Sequence, residues 1–92
     1  MPENSEDVCV ERDLTLPPDL ALHARPAGAV TKAAMRFQAK VTISANGKQA
    51  DARSVLSVMG LGARGGTTLR IVAEGPDAEA AIAAIVACLG GE

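Results

Sequence analysis

The chain has 92 residues, 48% of them hydrophobic and 22% charged, with a formal net charge of −2. That is enough for one folded domain and too apolar for a disordered chain. A nucleic-acid binder would normally carry a basic stripe and stacking aromatics, yet Phe37 is the only aromatic. No apolar run approaches the roughly 20 residues that cross a bilayer.

Residues 1–7, an acidic and polar stretch, read as a flexible solvated tail before a single domain over 8–92. They do not resemble a signal peptide, so the expected location is cytoplasmic. A strand is expected from Val8 to Leu16, with Val10, Leu14 and Leu16 on one side and Arg12 breaking the alternation. Pro17-Pro18-Asp19 ends it, because proline removes ladder donors. From Ala24 to Phe37 the spacing becomes helical: Ala27, Val30, Ala34 and Phe37 share a face widened by Ala33. Pro26 fits near the start of a helix, and His23 lies at or beside its N-cap. Phe37 is expected to close the buried stripe.

Lys40–Ala45 alternates again, and Asn46-Gly47 is a strong hairpin signal leading into a returning strand over Lys48–Ala52. A short helix fits Ser54–Gly60, with Ser54 as its cap. It is too short to be stable alone and too apolar to be wholly exposed. Thr67–Glu74 is a strand with Leu69, Ile71 and Ala73 on one face. Asp77 is expected to cap a last helix whose stripe is Ala78, Ile82, Ile85 and Leu89, helped by Ala81 and Val86, with Gly90-Gly91 ending it. The order β-α-β-β-α-β-α suits an α+β domain: an antiparallel sheet with helices on one face. Cys9 and Cys88 lie far apart, form no CxxC motif and read as free thiols.

His23 is the only histidine. A helix N-terminus presents unpaired N–H groups and a positive dipole end, and Arg25 adds a cation with a fork of donors. Such a mouth favours a neutral, nucleophilic imidazole and would also stabilise the near-dianion left if that ring took a phosphoryl group. The plainer reading, that His23 merely caps and Arg25 merely solvates, weighs about evenly on the residues alone. No second histidine supports a triad, and metal-ligand spacing is absent. Gly60-Leu61-Gly62-Ala63-Arg64-Gly65 spells G-x-G-x-x-G, but it follows a helix and opens a strand, the reverse of the dinucleotide fingerprint. No nucleotide site or cofactor is expected, so a phosphoryl group would come from another macromolecule. Val55, Leu56, Met59 and Leu61, on and just after the short helix, form a candidate docking patch with Met59 as its adaptable member.

Leu22-His23-Ala24-Arg25-Pro26-Ala27 resembles the active-site signature of the HPr family, the histidine-containing phosphocarriers of the bacterial phosphoenolpyruvate–sugar phosphotransferase system. The segment from Ala52 to Gly62 resembles that family's serine-site region, and the spacing between the two fits. The resemblance covers about residues 8–91 and implies an open-faced β-sandwich: a four-stranded antiparallel sheet, order 1-4-2-3, with three helices on one face. It implies that His23 accepts a phosphoryl group on Nδ1 from phosphorylated Enzyme I and passes it to a sugar-specific Enzyme IIA, with Arg25 steadying the phosphate. By the same resemblance Ser54 is the regulatory site of an HPr kinase/phosphorylase, and Ala24, Val55, Leu56 and Met59 meet partners. A monomer is expected, with no nucleic acid and no membrane insertion. The family usually has Gly where Ala21 stands. The alternative is a regulatory HPr-like protein, of a nitrogen branch or of carbon catabolite signalling, acting mainly through protein contacts. A ligand-binding α+β domain without chemistry is a third reading.

Overall fold

The computed structural model describes residues 8–90, so the tail expected over 1–7 and the helix stop expected at Gly91 lie outside the described residues. The elements are β1 (Cys9–Thr15), α1 (Ala24–Ala34), β2 (Lys40–Ala45), β3 (Lys48–Asp51), α2 (Val55–Gly60), β4 (Thr68–Glu74) and α3 (Ala78–Cys88). The four strands form one antiparallel sheet in the order β1-β4-β2-β3. The core lies on one face of it: Val41, Ile43, Ala50, Leu69, Ile71 and Ala73 point toward Ala27, Val30, Val58, Ile82 and Ile85 of the helices. Burial of this apolar face is what orders the three helices, since α2 spans only six residues.

Several local choices follow from residue type. Asn46 and Gly47 both have positive φ, 54° and 76°, the pair of left-handed residues that a two-residue hairpin turn demands. Arg12 stands opposite Ile71, so an exposed charge occupies the core-side row of an edge strand. An inward charge of this kind blunts edge-to-edge pairing, which gives Arg12's break in the apolar alternation a use. The polar face of the sheet carries exposed pairs, Arg70 with Glu11 at 3.0 Å and with Asp13 at 3.4 Å. The stripe expected for α3 is buried in full: Ala78, Ala81, Ile82, Ile85, Val86 and Leu89. Both cysteines are free thiols, Cys9 exposed and Cys88 half-buried.

Three expectations need correction. First, α1 stops at Ala34 and not at Phe37, and Phe37 is only half-buried. The chain tightens there: the Arg36 and Phe37 amides donate to Ala33 and Ala34 at 3.1 and 3.2 Å. The next two amides, Gln38 and Ala39, then donate to the Asp77 carboxylate at 2.9 and 2.8 Å. Phe37 consequently leaves the buried stripe, with the Arg36 guanidinium 5.6 Å from its ring centroid. Second, Asp77 occupies the N-cap position of α3 but its side chain does not cap that helix, because both carboxylate oxygens are engaged by the amides entering β2. Those bonds, the Gln38 amide foremost, hold the Asp77 carboxyl below the usual carboxylate range, with the Ala39 amide and Arg53 adding to the effect against some desolvation. Third, β3 ends at Asp51; Ala52 leaves the ladder but still donates its amide to Val41 at 2.9 Å. Its carbonyl accepts the buried Thr31 hydroxyl at 2.9 Å, tying α1 to the end of β3.

Candidate functional site

The loop between β1 and α1 is held by backbone bonds on both sides of its prolines. The Leu16 amide donates to Thr67 at 2.9 Å, the Leu20 amide to Pro17 at 3.1 Å and the Leu22 amide to Ala63 at 3.0 Å. Leu22 is buried, so the residue after it is pushed outward at a fixed point. That residue is His23. It is exposed, takes the N-cap position of α1 with φ −76° and ψ −173°, and makes no side-chain capping bond. The ring is therefore not used up in stabilising the helix, contrary to the plainer reading of the sequence. Its carbonyl accepts the Ala27 amide at 3.0 Å, which starts the helix. Pro26 has no N–H, so Ala24 and Arg25 are the first-turn residues whose amides α1 presents beyond His23.

Ala21 explains itself in this geometry. Its carbonyl accepts the His23 amide at 2.9 Å, closing a tight turn. Among the described residues Asn46 is the only non-glycine with positive φ, so Ala21 stays where any L-residue is comfortable and no glycine is required.

His23 borders a cleft of about 440 Å³ together with Leu22, Met59, Gly62, Ala63 and Arg64. The far wall is built by α2 and the loop after it. Ser54 caps α2 as expected: its Oγ accepts the Ser57 amide at 3.2 Å and lies 3.0 Å from the Ser57 hydroxyl. At the other end of α2, Asn46 Nδ2 donates to the Leu61 carbonyl at 2.9 Å. One residue of the hairpin turn thus also fixes the C-terminus of the helix beside the cleft.

The expected docking patch divides. Leu56 is 81% exposed and Met59 36%, on the outside of α2, whereas Val55 is half-buried. Leu61 is core at 2% exposure and no part of a surface, because the chain has turned inward after α2. Ala24 and Arg25 are exposed, but they border a separate groove of about 610 Å³ that runs along α1 past Gly28, Lys32 and Met35. Arg25 lines that groove and not the His23 cleft. The cation that shares the cleft with His23 is Arg64, which sits within the Gly60–Gly65 glycine pattern. The signal was present: a lone cation in a loop of glycines and small apolar residues, between a buried Leu61 and a buried Ala63 on one side and β4 on the other.

This architecture is a small α+β domain with one exposed imidazole at a helix start. Residues 10–90 match the family model for the PTS HPr component phosphorylation site. The chain is 39% identical over 80 residues to the phosphocarrier protein HPr of Cupriavidus necator, covering 87% of this chain and 90% of that one. It is 44% identical over 66 residues to the phosphocarrier protein HPr of Mycoplasma capricolum, covering 72% and 74%. The crystal structure of a phosphocarrier protein HPr from Bacillus anthracis superposes with a TM-score of 0.82 at 33% identity, covering 88% of this chain and 96% of that one. The chain belongs to the HPr family of phosphocarrier proteins of the phosphotransferase system.

Proposed function

We propose that this protein accepts a phosphoryl group on His23 from phosphorylated Enzyme I and hands it to a sugar-specific Enzyme IIA. The observation that carries this reading is an exposed sole imidazole, not engaged in capping, at the first residue of α1 and on the rim of an open cleft. In the transfer, a ring nitrogen attacks phosphorus, an N–P bond forms, and the bond to the donor group breaks with the electron pair leaving on the donor. Passing the group on reverses this with a second acceptor. The Ala24 and Arg25 amides and the α1 dipole favour negative charge next to the ring, which supports the phosphorylated state. Arg25, the second residue of α1 and a lining residue of the groove, supplies a cation for the phosphate or for an acidic partner. Leu56 and Met59, with Val55 behind them and the exposed Ala24 at the start of α1, offer the apolar contact a macromolecular donor needs.

Phosphoenolpyruvate and Enzyme I should add one acid-labile phosphate to the chain. A His23→Ala protein that still takes the label would end the proposal. The location consistent with these partners is the cytoplasm.

A regulatory role rests on a different residue. Ser54 is half-buried at the start of α2, directly before Val55 and Leu56. Phosphorylation by a kinase of the HPr kinase/phosphorylase type would bring about −1.5 to −2 charges to the edge of the docking patch and weaken apolar contact there. Incubation with ATP and that kinase should then give an acid-stable label, in contrast to the acid-labile one on His23. Retention of the acid-stable label by Ser54→Ala would refute the assignment.

A further inference from the structure

The cleft holds a cation that the carrier reading does not use. Arg64 lines it with His23, Met59 and the Ala63 backbone, and no Asp or Glu borders it. Two features make this placement more than proximity. The Leu22 amide donates to the Ala63 carbonyl at 3.0 Å, so His23 and Arg64 are the residues that immediately follow the two ends of one hydrogen bond. The Arg64 backbone is itself fixed: its amide donates to Thr67 Oγ1 at 3.2 Å and its carbonyl accepts the Thr67 amide at 2.8 Å. The loop cannot swing away, because Gly65 is packed on Pro18 so closely that a Cβ there would fall 2.1 Å from the Pro18 carbonyl oxygen. Among the described residues Arg64 joins no ion pair, while Arg70 has two carboxylates and Arg53 has the Phe37 carbonyl. Its guanidinium is an exposed fork carried on a fixed stretch of backbone and, among the described residues, it joins no ion pair.

We propose that Arg64 is a phosphoryl-binding residue: it donates from the cleft side to the oxygens of the group on His23, opposite the helix-start amides. This rests on the carrier reading and extends it. A tetrahedral phosphoryl group on the ring has three oxygens to satisfy, and α1 approaches from one side only. A planar guanidinium on the other side supplies two parallel donors and offsets the charge that the transfer leaves in the cleft. The arrangement binds the phosphorylated state more strongly than the free ring, so it slows spontaneous loss of the phosphate and favours acceptance from the donor.

The test is phosphorylation of wild type, Arg64→Ala and Arg64→Lys by phosphoenolpyruvate and Enzyme I. Three readouts are the ³¹P shift of the phosphohistidine, its spontaneous hydrolysis rate, and the KM and kcat of the Enzyme I reaction. Arg64→Ala should lose its phosphate about tenfold faster, the effect of losing one charge-assisted contact, should load more slowly, and should move the ³¹P resonance. Arg64→Lys should recover the charge effect in KM but not the full resonance position, since ammonium cannot donate as a fork. Wild type and Arg64→Ala with the same ³¹P shift and the same hydrolysis rate would overturn the assignment while leaving His23 as the acceptor. A change in KM alone, with the phosphohistidine unaltered, would also overturn it and assign Arg64 to partner contact. Wild type that takes no phosphate at all would overturn the carrier reading, and this one with it.

Discussion

Substitution of Gly65 by alanine tests the contact between the two loops that wall the cleft. A Cβ on Gly65 would lie 2.1 Å from the Pro18 carbonyl oxygen, 2.6 Å from its carbon and 2.9 Å from its Cα. All three are backbone atoms, and Pro17-Pro18 is stiff, so no side chain can simply rotate aside. Relief requires the two loops to part, which strains the Gly66-to-Leu16 bond of 3.1 Å and the Leu22-to-Ala63 bond of 3.0 Å. Overpacking of this sort costs about 1–3 kcal/mol and a weakened backbone bond about 0.5–1.5 kcal/mol, giving about 2–4 kcal/mol in all. A domain of this size has roughly 5–14 kcal/mol of stability, so the loss is a large share. It corresponds to a fall in Tm of roughly 8–30 °C. Gly28 provides the control, because a Cβ there meets nothing within 4 Å and the residue sits inside α1. Gly28→Ala should stabilise by about 0.4–1 kcal/mol through helix propensity and a less flexible unfolded chain. Urea unfolding followed by far-UV circular dichroism measures both. If Gly65→Ala stays within about 0.5 kcal/mol of wild type, or if the two alanines act alike, the close approach of the loops is wrong.

Three further perturbations probe the supports of the fold. Thr31→Val removes the hydroxyl that donates to the Ala52 carbonyl at 2.9 Å in a buried position and should cost about 1–3 kcal/mol in denaturant titration, whereas Thr31→Ser should cost less; equal losses would deny the bond. Phe37→Ala should cost about 1–2 kcal/mol, below the roughly 3–5 kcal/mol of a fully buried Phe, because the ring is half-exposed; a loss above about 3 kcal/mol would return Phe37 to the core. Asp77→Asn tests the carboxylate that holds the Gln38 and Ala39 amides. Its pKa is depressed below 3.8, so its ionised form stabilises the fold above that value, and the contribution disappears as pH falls through the lower folded-state pKa. The Tm gap between wild type and Asp77→Asn should therefore be widest near pH 7 and narrow progressively as the pH falls below 3.8; a gap independent of pH would contradict the clamp.

Much of this molecule was legible in residue order because its signals are local. Period-two alternation in Lys40–Ala45 and Thr68–Glu74, the Asn46-Gly47 turn, the Ser54 cap and the apolar stripe of α3 each depend on neighbours within a few positions. The placement of His23 at the start of α1 was legible for the same reason, since Pro26 and the helical spacing after it mark the boundary. Partners distant in sequence decided the rest. Phe37 continues the helical spacing, yet α1 ends before it because an aspartate 38 and 39 positions further on claims the next two amides. Leu61 looks like surface beside Met59 until the chain turns and buries it. Arg25 stands two residues from His23 in sequence and lines another groove, while Arg64, 41 positions away, lines the same cleft as His23 through the bond between Leu22 and Ala63. Backbone periodicity and caps are written into short stretches of chain, but hydrogen bonds that join distant loops exist only once the sheet and helices have closed on one another.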